Sequence, residues 1–224
     1  VGVIRRAWWW ALDYLYVTAR QLGALVARAD PADLRTGDRT PVVVLPGVYE
    51  PWGFMWPLAN ALHDDGHPVH VLPVLGYNRA PVAETARLVG EHLRTHDLHD
   101  VVVVAHSKGG LVGKLAMLAE DPDGRLRAMV AVSTPFAGSV YARLVPVRAV
   151  RAFLPTDATL VGLAAEREVN ARITSVGSVF DPHVPAGSEL EGAMNVRLST
   201  PGHFRVLADP RLLDVVRGVL AEVR

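Results

Sequence analysis

One serine in this sequence sits where a nucleophile would be made. The run VVVVAHSKGGLVGKLA, Val101 to Ala116, takes a wholly apolar, β-branched stretch straight into Ala105-His106-Ser107-Lys108-Gly109-Gly110 and then into a helical pattern. A strand-to-helix turn that sharp crowds the serine backbone, so small residues must stand two positions before and after it. Ala105 and Gly109 meet that need. A phosphate-binding glycine loop is the competing reading, but the order G-x-x-x-x-G-K-[ST] is absent. A purely structural tight turn is the other.

A serine hydroxyl becomes nucleophilic when a base takes its proton, and histidine is suited to this near neutral pH. Among nine histidines, His203 lies in STPGHFRVLADP, a Gly/Pro-containing loop between the last strand pattern and the closing helix. Loops at the carboxyl end of a parallel sheet are where catalytic groups gather. His106 is expected to pack or orient the turn, and His183 to be a neighbouring loop residue. His63, His67, His70, His92, His96 and His99 fall at helix ends and short connections, and no pair has the H-E-x-x-H spacing of a metal site.

The base in turn needs a carboxylate to hold its tautomer. Asp181, in SVFDPHVP, precedes His203 by 22 residues and completes the chain order Ser, Asp, His. Asp157 and Glu189 are the other carboxylates in range. Oxyanion donors are expected from the backbone N–H groups of Val48, in LPGVYEP, and Lys108, the residue after the serine. The Lys108 side chain is expected in solvent.

Positioning these groups requires alternating strands and helices, and the sequence supplies them. Strand patterns cover Val42 to Leu45, Val69 to Leu72, Val101 to Ala105, Leu126 to Ser133, Ile173 to Val179 and Ala193 to Leu198. Helical patterns lie between them, and Asp209-Pro210 opens the last. The expected fold is α/β, an open, mainly parallel six-stranded sheet with helices on both faces. One domain, 41–224, would follow an N-terminal helix and linker, 1–40.

Residues Ser139 to Glu168 interrupt this alternation and are expected to form a small cap over the serine. Tyr141, Leu144 and Phe153 from that insert, with Tyr49 and Phe54 beside the Val48 loop, are the expected substrate contacts. The alternative is that these residues complete the core.

The opening stretch reads as a helix of about 25 residues, too interrupted by Arg6, Asp13 and Arg20 to span a bilayer. Those three recur every seven positions and share one stripe. The first expectation is a helix packed on the body that leaves this polar edge outside. The second is peripheral membrane contact through residues 1–27, using the tryptophans and arginines; a protein contact is the third.

Composition narrows the classes. The 224 residues are 50% hydrophobic and carry 23 basic and 23 acidic side chains, which fits a packed globular chain and argues against nucleic acid as partner. The lack of cysteine excludes disulfides and thiolate chemistry and leaves the compartment open, with cytoplasm or a membrane surface favoured over export.

Taken together, L-P-G at Leu45 to Gly47, A-H-S-K-G-G at Ala105 to Gly110, S-T-P-F-A-G-S at Ser133 to Ser139, D-P-H-V-P at Asp181 to Pro185 and Gly202-His203 resemble the α/β-hydrolase superfamily. Within it they look like small bacterial lipases and esterases. The resemblance covers Pro41 to Arg224 and implies hydrolysis of carboxylic esters with hydrophobic acyl groups, without cofactor or metal. A thioesterase, an amidase, an acyltransferase or a non-catalytic binding protein on the same scaffold are the alternatives.

Overall fold

A computed structural model describes residues 2–26 and 30–223. Residues 1 and 27, expected to take part in membrane contact, and residues 28 and 29 of the expected linker lie outside that range, as does residue 224.

Six strands form one sheet in the order β2-β1-β3-β4-β5-β6, every neighbouring pair parallel. They are β1 (Val42–Leu45), β2 (Val69–Val71), β3 (Val101–His106), β4 (Leu126–Val132), β5 (Ile173–Ser178) and β6 (Met194–Leu198). β3 lies inside the sheet between β1 and β4, and all six of its residues are buried. That is why its sequence shows no polar alternation: helices cover both faces.

The pleat divides the core into two layers. Val43, Leu45, Val101, Val103 and Ala105 point to the side covered by α3 (Val82–Thr95) and α4 (Lys108–Ala119). Val42, Val44, Val102 and Val104 point to the opposite side, toward α2 (Trp56–Asp64) and α7 (Pro210–Glu222). α7 begins as its sequence requires, with the Asp209 carboxylate accepting from Arg211 N and Pro210 in the first turn.

Between β4 and β5 the chain forms a 3₁₀ turn at Val140–Leu144 and two short helices, α5 (Arg148–Arg151) and α6 (Ala158–Ala165). Phe153, Leu160 and Leu163 of this insert are buried in the α3/α4 layer, so the segment completes the core as well as overhanging the sheet edge.

The N-terminal helix α1 (Val3–Val26) packs on the turns Trp52–Met55 and Arg205–Ala208. The polar edge expected outside is turned toward the body at Asp13 and Arg20, while Arg6 stays exposed at its end. Asp13 has no exposure, Arg20 donates to the carbonyls of Gly53 and Phe54, and the Arg6 guanidinium lies over the Phe180 ring. For Asp13 the cause is three backbone amides, those of His203, Phe204 and Arg205, whose acceptor is its carboxylate.

Candidate active site

Ser107 sits at the joint between β3 and α4 with φ 50° and ψ −117°, outside the conformations ordinary residues prefer. Its amide donates to Val132 O at 2.8 Å, which fixes the turn against β4. The neighbouring glycines are dictated by contact. A Cβ on Gly109 would lie 2.3 Å from Leu45 O, and one on Gly110 would lie 2.0 Å from Thr134 Oγ1.

Three of the expected residues meet at this turn. Ser107 Oγ is 3.0 Å from His203 Nε2, and His203 Nδ1 is 2.8 Å from Asp181 Oδ2. With Nδ1–H donating to the carboxylate, Nε2 is left to accept from the serine hydroxyl. The other Asp181 oxygen accepts from the amides of His183 and Val184 at 2.8 and 2.9 Å. Asp157, by contrast, is spent as the N-cap of α6, accepting from Thr159 N and Leu160 N.

The electrostatics follow from burial and neighbours. Burial works against the His203 imidazolium, but Asp181 overrides it, aided by Glu50 and Asp13, and the pKa is raised above the ordinary histidine value. Burial alone would raise the Asp181 carboxyl; the charge and hydrogen bond of His203 and the two backbone amides instead hold it at about 2. His183, whose ring centroid is 4.9 Å from that of His203, is pushed down to about 4 by burial and by the His203 charge. It is therefore a neutral wall near neutral pH, with its Nε2 3.1 Å from Tyr14 Oη.

Two carboxylates outside the expected set hold the surrounding loops. Asp13 reaches from α1 to accept from the amides of His203, Phe204 and Arg205 at 2.9, 3.0 and 2.8 Å. Gly202, at φ 123°, is the residue that admits it, since a Cβ there would lie 2.3 Å from Asp13 Oδ1. Glu50 accepts from Gly47 N at 2.6 Å and lies 2.8 Å from His106 Nδ1, while His106 Nε2 donates to His203 O at 3.0 Å. Glu50 and His106 thus tie the Val48 loop to the His203 loop through buried groups. A lone acid in an apolar helix was the available signal for Asp13; nothing local marks Glu50.

The amides of Val48 and Lys108 have no hydrogen-bond partner among the described residues. Lys108 N opens α4, where the first N–H groups have no intrahelical acceptor. The Lys108 side chain is not in solvent. It is buried, with Nζ donating to Asn78 O, Asn78 Oδ1 and Ala80 O at 2.7, 2.8 and 2.5 Å, and desolvation brings its pKa down to about 8. Asn78 in turn donates to Pro46 O at 2.7 Å, so this lysine braces the loop that carries Val48.

A cavity of about 190 Å³ opens on Ser107 and His203. Its walls include Val48, Tyr141, Val145, Val150, Phe153 and Phe204, with Glu50 and His183 as polar members. Tyr141 and Phe153 stand where substrate contacts were expected; the other three do not. Phe54 is fully buried in the α2/α7 layer, stacked on His106, because the 3₁₀ turn Trp52–Met55 aims it under the sheet. Leu144 is 79% exposed at the end of its turn and Tyr49 is exposed at φ 62°, and neither lines the cavity. Asp181, His183 and His203 bring ligand atoms within 4.8 Å of one another, but a metal there would take the atoms that Asp181 and His203 share with each other and with Ser107.

The sequence matches no protein-family model and no curated protein. The fold is matched among solved structures. A lipase of Bacillus licheniformis in its mature form superposes with TM-score 0.65 over 87% of this chain and 95% of that one, at 14% identity. An α/β-hydrolase enzyme from the metagenome of lagoon sediments at Mar Chica, Morocco, gives TM-score 0.64 over 84% and 93%, at 16% identity. A monoacylglycerol lipase of Paleococcus ferrophilus gives TM-score 0.59 over 83% and 95%, at 15% identity. The chain has the α/β-hydrolase fold.

Proposed function

We propose that the protein is a serine hydrolase that cleaves carboxylic esters with a hydrophobic acyl group. One observation carries this reading: the hydrogen-bonded series Ser107, His203, Asp181 opens onto an apolar cavity. His203 Nε2 takes the Ser107 proton as Oγ attacks the ester carbonyl, and Asp181 stabilises the imidazolium that forms. The Val48 and Lys108 amides stabilise the oxygen that becomes negative. Collapse of that intermediate breaks the C–O bond, and the alcohol leaves with the proton from His203. Water, deprotonated by the same base, then releases the acid and restores Ser107.

The cavity supports the substrate class. Val48, Tyr141, Val145, Val150 and Phe153 present an apolar wall, so an acyl chain gains about 0.8 kcal/mol for each buried methylene. Labelling with a fluorophosphonate probe, read with Ser107→Ala alongside, tests the nucleophile; rates on matched ester, thioester and amide substrates test the bond. Labelling that persists in the Ser107→Ala variant, or a folded chain that takes no label, would remove the reading.

A further inference from the structure

The helix α1 is amphipathic in the reverse of the usual sense. Its charged residues, Arg5, Arg6, Asp13 and Arg20, lie on or beside the face that meets the body, and Asp13 is fully buried. Ile4 and Leu22 stand nine residues either side of Asp13, which at 3.6 residues per turn places both directly opposite it. Between them Trp8, Ala11, Leu15 and Thr18 continue the same line at steps of three and four, with no charge among them. Ile4 is 88% exposed, Trp8 62%, Leu15 67% and Leu22 60%. An uncharged, largely apolar ridge of this length facing water calls for a partner.

We infer that this ridge seats the protein on a lipid surface, with α1 lying in the plane of the interface. No helix among the described residues is long and apolar enough to cross a membrane, so the helix rests on the surface rather than spanning it. Its shoulders have the chemistry of that boundary. Trp10 and Tyr14, both partly exposed, stack on one side, and Arg5 lies over the Trp9 ring on the other.

The apolar surface also leads toward the site. Val3, Ala7 and Trp10 share a cleft with Tyr141, and Tyr141 is a wall of the cavity over Ser107. A lipid-seated α1 therefore brings the cavity near the phase in which hydrophobic esters dissolve. That consequence rests on the hydrolase reading; the docking itself does not.

The test is sedimentation of the full chain with phosphatidylcholine vesicles, with and without phosphatidylglycerol. The unmodified chain and Ser107→Ala should bind equally well to both compositions, so that binding stands or falls independently of turnover. A variant carrying Ile4→Gln, Trp8→Gln, Leu15→Gln and Leu22→Gln should lose at least tenfold in partitioning, with its Tm within about 2 °C of the parent because all four sites are exposed. Val161→Gln, exposed on α6, should bind as the parent does. In the unmodified chain, brominated lipid should quench tryptophan fluorescence, and Trp8→Phe should remove most of that quenching. Failure of the parent to bind overturns the inference, as does binding unchanged in the fourfold variant. Binding confined to phosphatidylglycerol and kept by that variant assigns it to the arginines, and dimerisation lost in the variant without vesicle binding assigns the ridge to a second copy; either contradicts the proposal.

Discussion

At the residue scale, the proposed hydrolysis depends on keeping one imidazole buried, correctly protonated and aimed. His203 is buried beside the cavity, and its raised pKa comes from Asp181 acting against burial. The reaction needs the neutral ring as acceptor, so kcat/KM should fall as pH drops through the raised value, placing the acid limb above the ordinary histidine range. Asp181→Asn removes the carboxylate that raises His203 and leaves the desolvation that lowers it. The acid limb should then move to lower pH, while kcat falls on the order of 10³–10⁴-fold because the ring loses its orienting acceptor. A pH–rate profile of the two proteins decides this; an acid limb unmoved by the substitution would separate Asp181 from His203.

At the element scale, the site is held by pieces of chain far apart in sequence. α1 contributes Asp13, whose carboxylate takes three backbone amides of the loop carrying His203. An asparagine keeps the shape but turns an N–H₂ toward donors, leaving at least one buried amide without an acceptor. Asp13→Asn should therefore cost about 1–3 kcal/mol in a denaturant titration, and it should lower kcat because His203 shares the loosened loop. Full stability with full activity would mean that α1 is an ornament to the site. The insert between β4 and β5 makes a separate prediction. Val145 is partly exposed at the cavity wall, so a larger side chain there can be admitted without forcing the core. Val145→Trp should cut kcat/KM for octanoate esters at least about tenfold relative to acetate, by narrowing the space for the acyl chain. Equal losses across chain lengths would place the acyl group elsewhere.

At the scale of the whole molecule, what the sequence disclosed was what local patterns encode. The β3 run, the small residues around Ser107 and the Asp209-Pro210 start of α7 are each set by contacts within a few residues, and each is readable from spacing. The six strands followed, with boundaries shifted by a residue at several ends, as at Val71 and Met194. Features made by long-range closure were not readable. Asp13 meets His203 across 190 positions, Lys108 finds its three acceptors about 30 residues upstream, and Phe54 is turned under the sheet by a short 3₁₀ turn whose apolar residues gave no sign of direction. Polar groups expected in solvent lie buried here because the body offers them partners, and apolar groups on α1 face outward because the inward face is taken.

The central claim is that Ser107 is the nucleophile of an ester hydrolase. The most direct test is steady-state hydrolysis of p-nitrophenyl esters from acetate to octanoate by the unmodified chain and by Ser107→Ala, with circular dichroism showing both folded. The account predicts turnover by the parent and a loss of at least about 10³-fold in kcat for the variant at every chain length. Hydrolysis by the variant at the parental rate would contradict it.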